Sequence, residues 1–408
     1  MQFKDIIGQH EIKKKLTQLY QQNRLSHALL FLGKEGNGSL SLARAFSQYI
    51  VCEKVNDKSS SSEEGPSLFG EEKIIPQHDE NDSCGICSAC QKASKLVHPD
   101  IHYSYPAVTK KSGDKLLSSD YAVEWRSFLA QQPYGNTYDW LQFINAENKQ
   151  GNISAHECND INRKLSLKSF ESEYKFLIMW MPEYLQNEGN KLLKLVEEPP
   201  PNTIFIFVAE NESLILPTIL SRTQLIKIPL LQNNDIEEAL KSKEKTDPVV
   251  AHQISSMSEG NYREALQQLQ HADDNWEVLL RDWLNTIIKT GPAAQVKWIE
   301  EVSKLGREKQ KQFLKYFMHL LEYAIRIRTL GAVNPNETND YSEAQQTSID
   351  FSSRFNKLCD ISQQEAIIKE LDTATYHIER NANAKILFHA LTIRLYHIIS
   401  NKSVILVS

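Results

Sequence analysis

The apolar residues of the chain keep two different rhythms. Over the first 50 residues, and again from Tyr174 to about residue 229, short uninterrupted apolar runs alternate with stretches whose apolar positions recur every three or four residues. The runs Ala28–Leu32, 175–181 (KFLIMWM), 203–209 (TIFIFVA) and 224–228 (QLIKI) predict strands, the second of them buried. Residues 9–22, 40–52, 187–197 and 215–221 between them predict helices. Strand, glycine-rich turn and helix in that order open an α/β unit with a parallel sheet. Beyond residue 230 strand patterns disappear, and three–four spacing from 236 to 399 predicts a helical C-terminal half.

Two stretches interrupt the pattern. Residues 53–83 are rich in Ser, Glu, Asp and Gly with few large apolar side chains, which predicts a flexible insertion. Residues 107–152 are weakly patterned, but Trp125, Phe128 and Trp140 predict that this second insertion docks onto the body of the protein. With 408 residues the chain is expected to form two or three domains. We place their boundaries at 1–229, 230–274 and 275–408.

Charge narrows the function classes. A net charge of −6 argues against a generally basic nucleic-acid-binding surface. The N-terminus is charged from its fourth residue, unlike a secretory signal, and no apolar run is long enough to span a bilayer. Six cysteines occur, three of them within seven positions. Such clustering suits a metal site in a reducing compartment, and the expected location is the cytoplasm.

The turn Gly33-Lys34-Glu35-Gly36-Asn37-Gly38-Ser39-Leu40 partly matches the phosphate-loop template GxxxxGK[ST]. Gly33 and Gly38 fit, but Ser39 stands at the lysine position and Leu40 at the hydroxyl position. The first loss removes the cation for the β- and γ-phosphates, and the second removes a magnesium ligand. Gly36 and the backbone amides around Ser39 could still hold a phosphate weakly, whereas Glu35 opposes it. The strand 175–181 ends in Met-Trp-Met-Pro, where an NTPase needs an acid, so ATP hydrolysis is not expected. The plain alternative is a strand-to-helix turn with no ligand.

Cys84, Cys87 and Cys90 form a C-x₂-C-x₂-C run. Three thiolates at this spacing can converge on one metal, and a structural Zn²⁺ takes four ligands. Cys52 is the first candidate for the fourth, with His98 and His78 as alternatives, and an iron–sulfur cluster is a further option. Cys158 and Cys359 are isolated and read as packed residues. Arg222, in Leu220-Ser221-Arg222-Thr223, reads either as a solvated loop arginine or as an arginine finger serving a neighbouring subunit. Glu197-Glu198-Pro199-Pro200-Pro201 sets two acids against a helix dipole before the prolines end the helix.

Together these residues resemble the delta-prime branch of the bacterial DNA polymerase III clamp-loader family, within the AAA+ proteins. The matching stretches are Ile6–Gln9, Ser26–Ala28, the eroded glycine loop, the four cysteines and His98-Pro99-Asp100. They continue through Asn190–Pro200, Ser221-Arg222-Thr223, Gly260–Leu266 and Arg380–Asn383. The resemblance implies an AAA+ α/β domain carrying a structural zinc module, then a helical lid and a helical collar. It implies a non-catalytic subunit of a hetero-pentameric ring with gamma/tau and delta partners, acting on a sliding clamp and primed DNA. Arg222 falls in the family's finger motif, with Thr223 in place of the usual cysteine, and Arg263 matches the lid's sensor arginine. Competing readings are an autonomous ATPase with an atypical phosphate loop and a zinc-dependent nucleic-acid-binding module.

Overall fold

The computed structural model describes residues 1–56, 81–110, 115–146, 149–270, 276–330, 343–380 and 382–400. Most of the proposed insertion 53–83, with His78, lies outside them. The described chain divides into two compact units, Met1–Gln267 and Gln268–Ser408.

The first unit is built on a parallel sheet. Its strands are β1 (Ala28–Leu32), β2 (Ile101–Ser104), β3 (Lys175–Trp180), β4 (Thr203–Ala209) and β5 (Gln224–Lys227), ordered β2-β3-β4-β1-β5. Leu30 lies opposite Phe207 on one side and Leu225 on the other, so β1 is an interior strand between β4 and β5. Successive side chains of a strand face opposite ways, and here both faces are covered. Phe31, Ile178, Trp180, Ile206 and Val208 pack with Phe46, Trp125, Phe128 and Trp140. Leu30, Met179, Phe205 and Phe207 pack on the other face with Ile161, Leu165, Val196 and Ile219. Burial on both faces explains why β1, β3 and β4 read as near-continuous apolar runs.

Four of the five strands lie where the apolar runs predict them. The fifth, β2, is a short edge strand paired only with β3, and its sequence IHYS carries no apolar run. The helix predicted over 187–197 is instead a tighter 3₁₀ coil over Pro182–Leu192 that becomes α-helical at Leu193–Glu197. The entry is set by Met181 at positive φ, with Pro182 at the first helical position. A helix at Ala155–Ser166 was not anticipated, although Cys158, Ile161 and Leu165 form its buried face. Its last carbonyls are met by Lys175, whose buried ammonium donates to Leu165 O at 2.5 Å and to Leu167 O. Burial lowers the Lys175 pKa.

The insertion 107–152 is folded onto the body, with helices Ala122–Gln131 and Thr137–Phe143. Trp125, Phe128 and Trp140 are buried, Tyr105 stacks on Trp125 at 3.9 Å, and Trp140 Nε1 donates to Pro106 O at 2.7 Å. The described ends of the proposed 53–83 insertion are also ordered. Glu53–Asn56 is a helical turn, and buried Asp82 accepts the amides of Phe3 (2.9 Å) and Lys4 (3.0 Å). Helices Asn233–Lys243, Pro248–Met257 and Tyr262–Gln270 follow the sheet.

The second unit is helical throughout its described residues, as the spacing predicts. Trp283 and Trp298 stack at 4.7 Å in a core that includes Phe313, Phe317 and Phe388. The helix Ala384–Ile399 buries Phe388, Leu391, Leu395 and Ile398 in that core, yet leaves Ile386 and Ile393 exposed by 69% and 55%.

Candidate functional site

The glycine turn sits at the carboxyl end of β1, where open parallel sheets bind ligands. Gly38 precedes the helix Ser39–Val51 at φ +87°, a conformation open to glycine. The Ser39 amide, which a phosphate would need, donates to Asn37 Oδ1 at 3.0 Å, and the Ser39 hydroxyl donates to the same atom at 2.6 Å. Asn37 is itself buried and donates to Ile228 O at 3.0 Å. Asn261 fills the space above Gly36, where a Cβ would lie 1.7 Å from its Oδ1. The remaining cavity is about 30 Å³, room for a water or two and far below the volume of a ligand pocket.

The charge around this turn is predominantly acidic, and Arg263 is engaged by the acids around it. Arg263 holds Asp139 through two nitrogens at 2.5 and 2.6 Å and Glu35 at 3.0 Å. Asn261 and Asn136 donate to the two oxygens of Glu35 at 3.2 and 2.8 Å. Glu210, at the end of β4, has its pKa pushed up to about 8 by burial, with further repulsion from Glu35 and Glu183. Glu183 does not face the cavity as a magnesium ligand would. Its Oε1 accepts the amides of Glu210 (2.7 Å) and Asn211 (2.9 Å), and burial raises its pKa. Glu35 was legible as a charge within the glycine turn, and Arg263 only through the family resemblance. The roles of Asn261 and Asp139 were not, because pairing across 226 and 124 positions leaves no local pattern.

The structure brings Cys52, Cys84, Cys87 and Cys90 together, with their sulfurs all within 4.8 Å of one another. The Cys84–Cys90 separation of 3.9 Å is close to the edge of a tetrahedron with Zn–S bonds, about 3.8 Å. The amides of Cys84, Cys87 and Cys90 point at the sulfurs of Cys52, Cys84 and Cys87 at 3.3–3.4 Å, contacts that favour thiolates. Hydrogen bonding from the Cys90 thiol draws Cys52 down to about 4, and the same bond with burial raises Cys90. His98 is outside the group, and its Nδ1 accepts the Asp100 amide. Donor number, spacing and chemistry therefore fit one tetrahedral metal. Cys158 and Cys359 are buried apart from the group, and burial raises their pKa values to about 12 and 11.

Arg222 lies in the corner between Pro217–Leu220 and β5 and belongs to neither cluster. Its side chain is 36% exposed and pairs with Glu197 at 2.5 Å. Among the described residues, no helix is long and apolar enough to cross a membrane.

A parallel α/β body with a glycine turn at a strand's carboxyl end defines the broad class. A family model described as DNA polymerase III, delta subunit matches residues 8–68 and 66–232, and the chain belongs to that family. DNA polymerase III subunit delta' of Bacillus subtilis (strain 168) is 25% identical over 260 residues, covering 64% of this chain and 58% of the relative. The delta' subunit of Haemophilus influenzae is 24% identical, covering 64% and 60%. Subunit tau of Bacillus subtilis is 23% identical, covering 66% and 37%. The chain thus spans less than two thirds of each relative's length.

Proposed function

We propose that the chain is a delta-prime-like stator subunit of a DNA polymerase III clamp loader, working in the cytoplasm. It does not hydrolyse ATP itself. It joins gamma/tau and delta subunits in a five-membered ring and supplies Arg222 in trans to a neighbouring gamma/tau ATPase during sliding-clamp loading on primed DNA. The observation that carries this reading is the self-filled glycine loop. Asn37 occupies the Ser39 amide, Asn261 covers Gly36, and Glu35 puts a carboxylate where triphosphate charge would lie. Arg263 is committed to Asp139 and Glu35. An ATPase reading requires cations and open amides at these same positions. A zinc held by Cys52, Cys84, Cys87 and Cys90 would have four protein ligands and no open position, so its role is structural. We read residues 230–274 as the lid and residues 275–408 as the collar.

The test is reconstitution of the full chain with gamma/tau-type and delta-type subunits, comparing wild type with Arg222→Ala. Assembly is expected to persist while DNA-stimulated ATPase and clamp loading fall. An arginine finger is worth about 10³–10⁵ in rate at its own site, diluted where other sites in the ring keep theirs. Unchanged loading by Arg222→Ala refutes the assignment.

A further inference from the structure

Arg222 is engaged within its own chain. One terminal nitrogen donates to Thr218 O at 2.8 Å and to the Ser221 hydroxyl at 3.1 Å, while the other meets Glu197 Oε1 at 2.5 Å. The first two acceptors are neutral and belong to the corner that carries the arginine, so they fix its root. Glu197 belongs to a different element, the end of Leu193–Glu197 just ahead of Pro199–Pro201. A carboxylate there faces the negative end of the helix dipole and is disfavoured by its own helix. The Arg222 guanidinium offsets that cost. A guanidinium recognises a phosphoryl group through two parallel N–H donors, so the arm held by Glu197 is needed for anion recognition.

We propose that Glu197 is an in-cis latch on Arg222, a carboxylate that holds the guanidinium until a neighbouring subunit's phosphate anion displaces it. The inference rests on the reading of Arg222 as a trans-acting group. Its energetics suit a latch. The two side chains are 36% and 43% exposed, and exposed ion pairs are weak, so the contact orients the arginine without trapping it. A multiply charged phosphate in a drier interface is the stronger partner. The latch therefore discriminates against weak encounters and raises the amount of complex needed for half-maximal stimulation.

Two measurements separate the latch from the reading beneath it. In the isolated full chain, labelling of Arg222 by phenylglyoxal is followed by mass spectrometry, with Arg24 as internal control. Glu197→Gln is expected to accelerate Arg222 labelling up to about five-fold, the ceiling for an exposed pair, and to leave Arg24 unchanged. Glu197→Asp is expected to fall between the two. In the reconstituted ring, Glu197→Gln is expected to lower the concentration giving half-maximal ATPase stimulation by a similar factor. Unchanged labelling, or an unchanged or higher half-maximal concentration, overturns the latch. An ATPase indifferent to Arg222→Ala overturns the trans-acting reading and with it the regulatory role, even where labelling shows the cis contact to exist.

Discussion

Glu210 carries a cost that depends on pH. Its pKa rises from 4.5 to about 8 because burial, then Glu35 and Glu183, disfavour the carboxylate, with only Arg263 opposing. Between those values the folded protein holds a proton that the unfolded chain has released. The group's penalty is therefore absent below pH 4.5, grows as pH rises through the window and is complete above about pH 8. Glu210→Gln keeps the neutral shape and removes the penalty. It is expected to stabilise the chain at pH 9, by at most about 5 kcal/mol, and to change little at pH 4. Urea unfolding at the two pH values checks this, and an equal effect at both would contradict it. Below about pH 8 this group is mostly the neutral acid, so the loop's opposition to polyphosphate comes from Glu35, and the raised pKa of Glu210 reports its burial and then that nearby charge. Glu35 is visible beside the glycines, whereas Glu210 ends an ordinary-looking apolar strand and becomes an acid of the loop only when β4 pairs with β1.

At the scale of elements, the cysteine module shows what spacing can and cannot reveal. The run Cys84, Cys87, Cys90 announces itself, because turns and a helix start at fixed offsets converge locally on one point. Cys52 is nominated only by lying at a helix end, and folding brings it to the cluster across 32 positions. The runs that became β1, β3 and β4 were legible because burial on two faces leaves few polar positions, while the second edge strand, β5, was marked only by Leu225, Ile226 and Ile228 among polar residues. Edge strand β2 was not, since an edge strand can carry His102 and Tyr103 within four residues. Asp82 was equally hidden, as an acid in a polar tract whose partners are two backbone amides at the other end of the domain. These contacts tie the module to the first turn of the chain and give it a testable unity. The purified protein is expected to contain one zinc per chain, with four thiols that react with a disulfide reagent only after chelation. Cys158 and Cys359, buried and raised in pKa, should stay unreactive until the fold is lost. Four reactive thiols without a chelator, and no bound metal, would remove the module's metal.

For the molecule as a whole, the last helix separates stability from assembly. Apolar residues on more than one side of Ala384–Ile399 fit either a core or an interface; one side packs in the second unit's core and the other is exposed, as the proposed collar role would use it. Phe388, Leu391, Leu395 and Ile398 complete the second unit's core, each contributing about 1.5–3 kcal/mol of burial. Ile386 and Ile393 contribute nothing to that core, being more than half exposed two turns apart on one face. A large apolar pair kept in water is costly to solubility and without benefit to a lone chain, but it suits a collar that packs against sister subunits. Ile393→Asp should therefore leave the thermal midpoint of the isolated chain within about a degree or two, as surface substitutions do. The same change should weaken ring assembly with gamma/tau and delta partners at least ten-fold, because it buries an unpaired carboxylate in the joint. Leu391→Asp, on the opposite face, should instead unfold the second unit. Analytical ultracentrifugation of the mixed subunits, read beside calorimetry of the single chain, distinguishes the two faces. Ring assembly untouched by Ile393→Asp would move the collar contact to another surface of the second unit.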